Sequence, residues 1–327
     1  MNKHEPHFMK SNQAAGAARA SRIFPVWLSI FLTALVLAPA RGLAEGTNLQ
    51  SLSLHIAFTP SSFKNINTRD ATTAMRIFAQ TAGKGEGYDL DVEARLFENA
   101  DDCAAQFRAG KINMAILDTW DYLGMNTHGV AVPVCVELDQ NSVFKEYLLL
   151  THKGSGLTNI ENLRGKDLML LEGKGGDLSR AWLDYLLLTR QCGTQAEFFG
   201  KIEPVVKPAS AVLPVFFGSK PACLVDRTTF ALMAELNPQV GRDLAVIAVS
   251  DPYVENVTCV CREGWPSQKS LDDLILGMER LQFEPAGQQV LQLFKVDRLV
   301  PFKDEYLDSA RKLQQNLALL RGIQARR

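Results

Sequence analysis

Two stretches over a hundred residues apart share one layout. Phe107–Thr119 reads FRAGKINMAILDT and Phe216–Thr228 reads FFGSKPACLVDRT. Each has the end of an apolar, helix-like segment, a Gly (Gly110, Gly218), a Lys (Lys111, Lys220) and a short apolar run. An Asp (Asp118, Asp226) then follows, with a Thr close behind. The spacing from Gly to Asp is the same in both. Gly suits the left-handed stop of a helix, and the apolar run reads as a buried parallel strand. The Asp then stands at the carboxyl end of that strand, where open α/β sheets bind ligands. Two such units point to two similar lobes facing one cleft. Helix–Gly–strand units occur in any α/β protein, so the remaining elements must decide.

They extend the same pattern. Leu52–Phe58 alternates as a strand and ends in the polar turn Thr59-Pro60-Ser61-Ser62. A helix is expected from Thr68–Asp70 to Gly83, a strand over Leu90–Leu96, and a helix capped by Asn99 or Asp101. The strand Met114–Leu117 completes β-α-β-α-β, the order of a parallel sheet covered by helices. Strands follow at Ala131–Leu138 and Tyr147–Thr151, with polar Asp139–Ser142 between them as a crossover. The pattern then restarts: strand Lys166–Leu171, helix Asp177–Thr189, strand Val205–Val206, helix Ala211–Phe217, strand Ala222–Val225. Leu244–Val249 leads into a second crossover at Ser250–Pro252, and Val257–Cys261 is a further strand. From Ser270 onward the chain reads as helical, with a last helix over Glu305–Ile323. The expected fold is α/β: two doubly wound lobes with a cleft between them and a helical C-terminal tail on the first. Lobe 1 comprises 45–140 plus 252–327, and lobe 2 comprises 141–251.

Residues 1–44 stand outside that fold. Lys3, Lys10, Arg19 and Arg22 precede an apolar stretch near Phe24–Ala38, and small residues follow. This is the layout of a cleaved export signal. An uncleaved membrane anchor is the alternative, but the run is short for a full span. The first Cys is Cys103, far from the cut site, so no lipid anchor is expected. Removing five Lys/Arg and one Glu from totals of 35 and 36 leaves 30 basic and 35 acidic side chains. An acidic balance argues against nucleic acid as a partner. Six Cys in an oxidising compartment permit disulfides, but no spacing of the zinc kind is present. Cys259 and Cys261 should face one side of a strand. The bland reading of all six is as small buried hydrophobes.

Three segments resemble the substrate-binding proteins of ABC importers, the phosphate/phosphonate and aliphatic-sulfonate-type group. NADDCAAQFRAGKINMAILDTWDYL over Asn99–Leu123 resembles that family's helix, strand and aromatic turn, with Asn113 where an Asp is usual. LTNIENLRGKDLMLL over Leu157–Leu171 resembles the start of its second lobe. The segment Trp265–Tyr306 resembles its C-terminal helical tail. The resemblance covers most of 50–315. It implies a type II periplasmic-binding-protein-like fold and a periplasmic protein that passes a small anionic or zwitterionic solute to an ABC permease. It implies no cofactor and no catalysis. The alternative within the same fold is a sensor that presents its bound form to a membrane receptor. A monomer is expected. One departure matters: where phosphonate binders carry a Ser/Thr-rich turn opening a helix, this chain has EGKGGDLSR from Glu172 to Arg180. Asp177 at that cap would compete with an anion at the helix start, which points to a ligand with a cationic or zwitterionic character.

The candidate ligand residues follow the strand ends. Asp118, Thr119 and Trp120 lie beyond the third strand; Trp120 offers a stacking surface and Asp118 a partner for an amine, unless Asp118 only caps a short helix. Asp226 and Arg227 are the second-lobe equivalents, and Arg227 is either a grip on an anion or one side of a surface ion pair. Thr59, Ser61 and Ser62 offer hydroxyls or serve ordinary turn chemistry. Gly175, Gly176, Ser179 and Arg180 form the second-lobe loop, which lacks the spacing of a P-loop. Beyond the signal only His55, His128 and His152 occur, and no Gly-x-Ser-x-Gly or His-Glu-x-x-His is present, so an enzyme is not expected. Amino-terminal sequencing of the exported protein should find a start near Arg41 or Glu45 and no lipid; a start at Met1 or Met9 would overturn the export reading.

Overall fold

The computed structural model describes residues 49–62, 68–125, 129–173 and 176–324. The expected signal segment, 1–44, lies outside the described residues. The chain opens with β1 (Gln50–Phe58), where Leu52, Leu54 and Ile56 are buried and alternate with exposed Ser51, Ser53 and His55. Helix α1 (Thr68–Gly85) buries Ala71, Ala74, Met75, Phe78, Ala79 and Ala82 at helical spacing. Next come β2 (Tyr88–Leu96), α2 (Ala100–Arg108), β3 (Met114–Asp118), α3 (Thr119–Gly124) and β4 (Ala131–Leu138). The chain crosses over and continues with β5 (Tyr147–His152), β6 (Leu168–Leu171), α4 (Gly176–Thr189), α5 (Gln195–Phe198) and β7 (Ile202–Val205). Then follow α6 (Pro208–Phe216), β8 (Ala222–Asp226), α7 (Arg227–Leu236), α8 (Pro238–Asp243) and β9 (Leu244–Val249). After the return come β10 (Asn256–Cys261), α9 (Gln268–Arg280), α10 (Pro285–Leu293), β11 (Arg298–Pro301) and α11 (Asp308–Gln324).

Two sheets result, in the orders β11-β4-β10-β3-β1-β2 and β7-β6-β8-β5-β9. In each, three neighbouring strands are parallel: β3-β1-β2 and β8-β6-β7. The strand that follows a crossing, β10 or β5, then adds antiparallel beside β3 or β8. The sheets are therefore mixed and not wholly parallel, because each crossing brings the chain in from the opposite end. The repeated sequence unit is a repeated structural unit. Gly110 and Gly218 both have positive φ, 66° and 72°. The bonds that close the two helices also match: Lys111 N–H to Gln106 C=O at 3.0 Å, and Ser219 N–H to Pro214 C=O at 2.9 Å. That is the bonding of a left-handed helix stop. The strand β11 escapes a pattern-based reading because it is only four residues long and ends in Pro301, tolerated there because the strand lies at the sheet edge.

Helices cover both faces of both sheets. One face of the first sheet packs with Met75 and Phe78 of α1, Leu274 of α9 and Val290 of α10; the other packs with Cys103 and Phe107 of α2. The second sheet packs with Trp182 and Leu183 of α4 on one face and Val212 and Val215 of α6 on the other. The helical C-terminal tail divides between them. As expected, α9 and α10 lie on the first sheet's α1. The last helix does not stay there: Ala310, Leu313 and Leu317 of α11 are buried with α4, and Arg321 pairs with Asp184 at 2.8 Å. Helical spacing reveals an apolar face but not which lobe covers it. All six cysteines are free and buried, and Cys259 and Cys261 share one apolar cluster, as one face of a strand requires.

Helix α9 crosses α1 closely at Gly277, where a Cβ would stand 2.2 Å from the Ala82 carbonyl oxygen. Backbone cannot yield as a flexible side chain does. Gly277→Ala should therefore cost about 1–3 kcal/mol and lower the melting temperature by several degrees, despite Ala's better helix propensity. A melting temperature that rises would show that the two helices separate freely.

Candidate functional site

Each repeated strand ends in an Asp that caps the next helix. Asp118 accepts the Trp120 N–H at 2.6 Å at the start of α3. Asp226 accepts the Thr229 N–H at 2.8 Å and the Thr229 hydroxyl at 2.6 Å at the start of α7. The reason is local: an Asp before a helix satisfies N–H groups that have no partner inside it. The two environments differ. Asp226 is partly exposed, whereas Asp118 is fully buried and its Oδ2 has no hydrogen-bond partner among the described residues. Burial first, then the charges of Asp121, Asp177 and Glu255, hold the Asp118 carboxyl well above its ordinary pKa, against the Trp120 N–H bond. Thr119, also fully buried, donates its N–H to the Glu255 carbonyl at 2.8 Å, while its hydroxyl is unpartnered among the described residues.

The first turn adds three buried hydroxyls beside this end of β3. Thr59 Oγ1 lies 3.1 Å from Ser61 Oγ and 3.2 Å from Ser62 Oγ. Ser61 donates to Asp121 Oδ2 at 2.8 Å and Ser62 to the Ile116 carbonyl at 3.0 Å. Trp120 is half-buried and, with Leu123, packs against the apolar cluster of the second sheet. Thus α3 joins the two halves of the molecule.

Between the sheets lies a cleft of about 360 Å³. Leu171, Gly173, Pro208, Asp226, Thr228 and Thr229 line it from the second sheet. Glu137, Asn256, Phe294 and Lys295 line it from the first, and Asp139, Ser142, Lys145, Val254 and Glu255 from the crossing segments. A small recess of about 20 Å³ shares Leu171, Gly173, Asp226 and Glu255 and is closed by Tyr147, Gly176 and Ser179. Among the described residues, the carboxylates of Glu137, Asp139, Glu172, Asp226 and Glu255 and the ammonium groups of Lys145 and Lys295 line the cleft. Lys145 bonds to Asp139 and approaches Thr228 Oγ1 at 3.4 Å. Burial opposes its charge, but the Asp139 bond and charge, with Glu255 and Asp226, hold its pKa above the ordinary value. Burial, then Glu255, Asp118 and Asp226, push the Tyr147 hydroxyl well up.

Of the residues expected from sequence, Gly176, Ser179 and Asp226 come together on the walls of the cleft and its recess. Thr59, Ser61 and Ser62 form a buried hydroxyl network, and Asp118 and Thr119 are buried at the end of β3. Arg180 pairs with Glu172 at 2.9 Å, and half-exposed Arg227 pairs with Glu146 at 2.5 Å; neither lines the cleft. Asp177 sits in the first turn of α4 and not at its cap. Gly175 lies outside the described residues. Sequence reasoning missed Lys145, Tyr147, Glu255 and Asn256. They carry no motif, but all adjoin the two crossovers read at Asp139–Ser142 and Ser250–Pro252, and segments joining two lobes border the cleft between them.

A family model described as "ABC transporter, phosphonate, periplasmic substrate-binding protein" matches residues 69–307, more than half of the chain. No curated protein matches the sequence. Among solved structures, the fold is similar to that of PhnD1 from Prochlorococcus marinus, determined with methylphosphonate. The TM-score is 0.57 at 12% identity, covering 81% of this chain and 98% of that one. A binding protein component of an ABC phosphonate transporter from Pseudomonas aeruginosa gives a TM-score of 0.57 at 12% identity, covering 82% of this chain and 87% of that one.

A carboxyl whose pKa rises on folding costs nothing below its unfolded value of about 4, and its cost grows as pH rises. Asp118→Asn keeps the acceptor for Trp120 N–H and removes the buried charge. Ligand-free Asp118→Asn should therefore match the parent near pH 4. At pH 7–8 it should be more stable by about 1–3 kcal/mol, the cost of an unsatisfied buried group. Thermal unfolding at the two pH values checks this, and a destabilised variant at both would remove the charge argument.

Proposed function

The chain belongs to the phosphonate-type periplasmic substrate-binding proteins of ABC transporters, and we propose that it captures one small anionic or zwitterionic solute between its two sheets and delivers it to an ABC permease. The observation that carries this reading is the cleft itself. It is walled by both sheets and floored by the two crossing segments, which are bonded to each other through Lys145 and Tyr253 at 2.8 Å in both directions. A solute touching both walls binds the closed form better than the open one, and that difference drives closure about the paired crossings. A volume near 360 Å³ suits a small molecule.

The solute's anionic end is assigned to Lys145 and to the start of α4, where Gly176 and Ser179 line the recess. The likeness to a protein solved with methylphosphonate supports a phosphonate or similar group there. Glu137 and Asn256 form the first-sheet side of the cleft and Asp226 the second, while Thr59, Ser61, Ser62, Asp118 and Thr119 are buried and Trp120 packs in the apolar cluster of the second sheet. Arg180 and Arg227 would join only by leaving Glu172 and Glu146. The transporter family match favours a permease over a sensory receptor as recipient. The protein acts as a monomeric carrier and not as an enzyme or nucleic-acid binder, is exported with cleavage near 40–44, and carries no lipid. No described helix is long and apolar enough to cross a membrane.

Native mass spectrometry of the protein purified from its own cells should show one small molecule bound per chain. Lys145→Met should lose it, because truncating one side of a buried charge pair costs about 2–5 kcal/mol. Arg227→Ala should retain it, because its exposed pair with Glu146 is worth about 0–1 kcal/mol. The opposite result would move the anion from Lys145 to Arg227.

A further inference from the structure

The repeated unit lets the two sheets be laid over each other residue by residue. Ala115 and Cys223 each stand five residues after the Gly stop and three before the Asp. In the first sheet Ala115 pairs with Ala57, and Ala57 with Arg95. In the second Cys223 pairs with Met169, and Met169 with Glu203. Arg95 and Glu203 therefore occupy equivalent positions. Residues two apart on a strand share a face, so His55 corresponds to Asp167 and Glu93 to Lys201. The charges at these positions differ. In the second sheet Lys220, from the turn after Gly218, bonds to Asp167 Oδ2 at 3.1 Å and to Glu203. Lys201 lies 3.6 Å from the same Glu203 oxygen. In the first sheet Lys111 comes from the turn after Gly110, but His55 and Arg95 stand where the two carboxylates would be. Glu93 bonds to Arg95 Nε at 2.6 Å and lies 4.0 Å from His55 Nε2. The Lys111 ammonium and the Gln106 side-chain amide have no partner among the described residues. A cavity of about 440 Å³ opens at this place, lined by His55, Glu93, Arg95, Phe97, Gln106 and Lys111 among others. It shares no residue with the cleft.

We propose that this cavity is a second binding site, outside the cleft, for a small dicarboxylate whose two carboxylates take the places that Asp167 and Glu203 fill in the other lobe. Lys111 and the Nη groups of Arg95 supply charged donors, and Gln106 and His55 supply neutral ones. The Arg95–Glu93 pair is exposed, so rearranging it toward a ligand costs little. A volume near 440 Å³ suits a small organic molecule. The second lobe carries its own counter-ions, and the first takes them from solution. The site is independent of solute capture in the cleft.

Calorimetry on the full chain with succinate and with acetate tests this. Succinate should bind once per chain and at least about tenfold tighter than acetate, the worth of a second charge-assisted bond. Lys111→Met should weaken succinate at least about tenfold for the same reason. Arg95→Glu recreates the arrangement of the second sheet and should abolish binding, because a carboxylate of the protein then occupies the ligand's place beside Lys111. Lys145→Met, altered in the cleft, should bind succinate as the parent does. Circular dichroism checks that the variants fold, and the comparison of succinate with acetate on the unaltered protein decides even if one does not. A parent that binds no succinate, or binds the two anions equally, overturns the proposal. So does succinate binding that survives Lys111→Met and is lost in Lys145→Met, which would place the anion in the cleft.

Discussion

The pairing of the two crossing segments is the constraint on which the molecule is built. Lys145 and Tyr253 exchange backbone bonds at 2.8 Å, and Tyr147 and Ser250 exchange N–H bonds at 2.8 and 2.9 Å through the Ser250 hydroxyl and the Tyr147 carbonyl. These bonds hold the departing and returning chains together, so β5 enters the second sheet and β10 the first from one shared junction. Each completes its sheet beside the strand that ends in Asp118 or Asp226. Thr119 and Arg227, the first residues of the two capped helices, donate their N–H groups to Glu255 and Glu146 in the same junction. The junction and the two strand ends are therefore one hydrogen-bonded body.

One local device serves two chemistries. Asp118 and Asp226 follow the same helix stop, end equivalent strands and cap the following helices. Asp226 satisfies both oxygens on Thr229 and opens to the cleft. Asp118 satisfies one oxygen and buries the other among carboxylates. A half-satisfied buried carboxylate works against stability. Its partner across the ladder, Asn256, also has a buried oxygen without a partner among the described residues.

The last helix adds a second tie between the halves. After β11 in the first sheet, α11 lies along α4, whose first turn borders the recess. Trp120 and Leu123 of α3 press on the same apolar cluster. One side of the junction is thus closed by apolar packing and the other by the carboxylate-lined cleft.

The sequence by itself determined the repeated helix–Gly–strand–Asp unit, the two sheets and the crossovers. These rest on local physics: apolar periodicity, left-handed stops at Gly110 and Gly218, and capping by Asp118 and Asp226. It also carried the family resemblance. Only the tertiary structure decided the rest. Arg227 could not be told from a ligand grip until Glu146, some eighty residues earlier, was seen bonded to it. Lys145, Glu255 and Asn256 matter because the paired crossings place them between sheets, and no local pattern records that. The side on which α11 docks, and the burial that leaves Asp118 half-satisfied, depend on which surfaces meet. Local propensity fixes elements and their ends; which distant side chains share a desolvated space is set by packing, where charge and hydrogen-bond deficits acquire their energy.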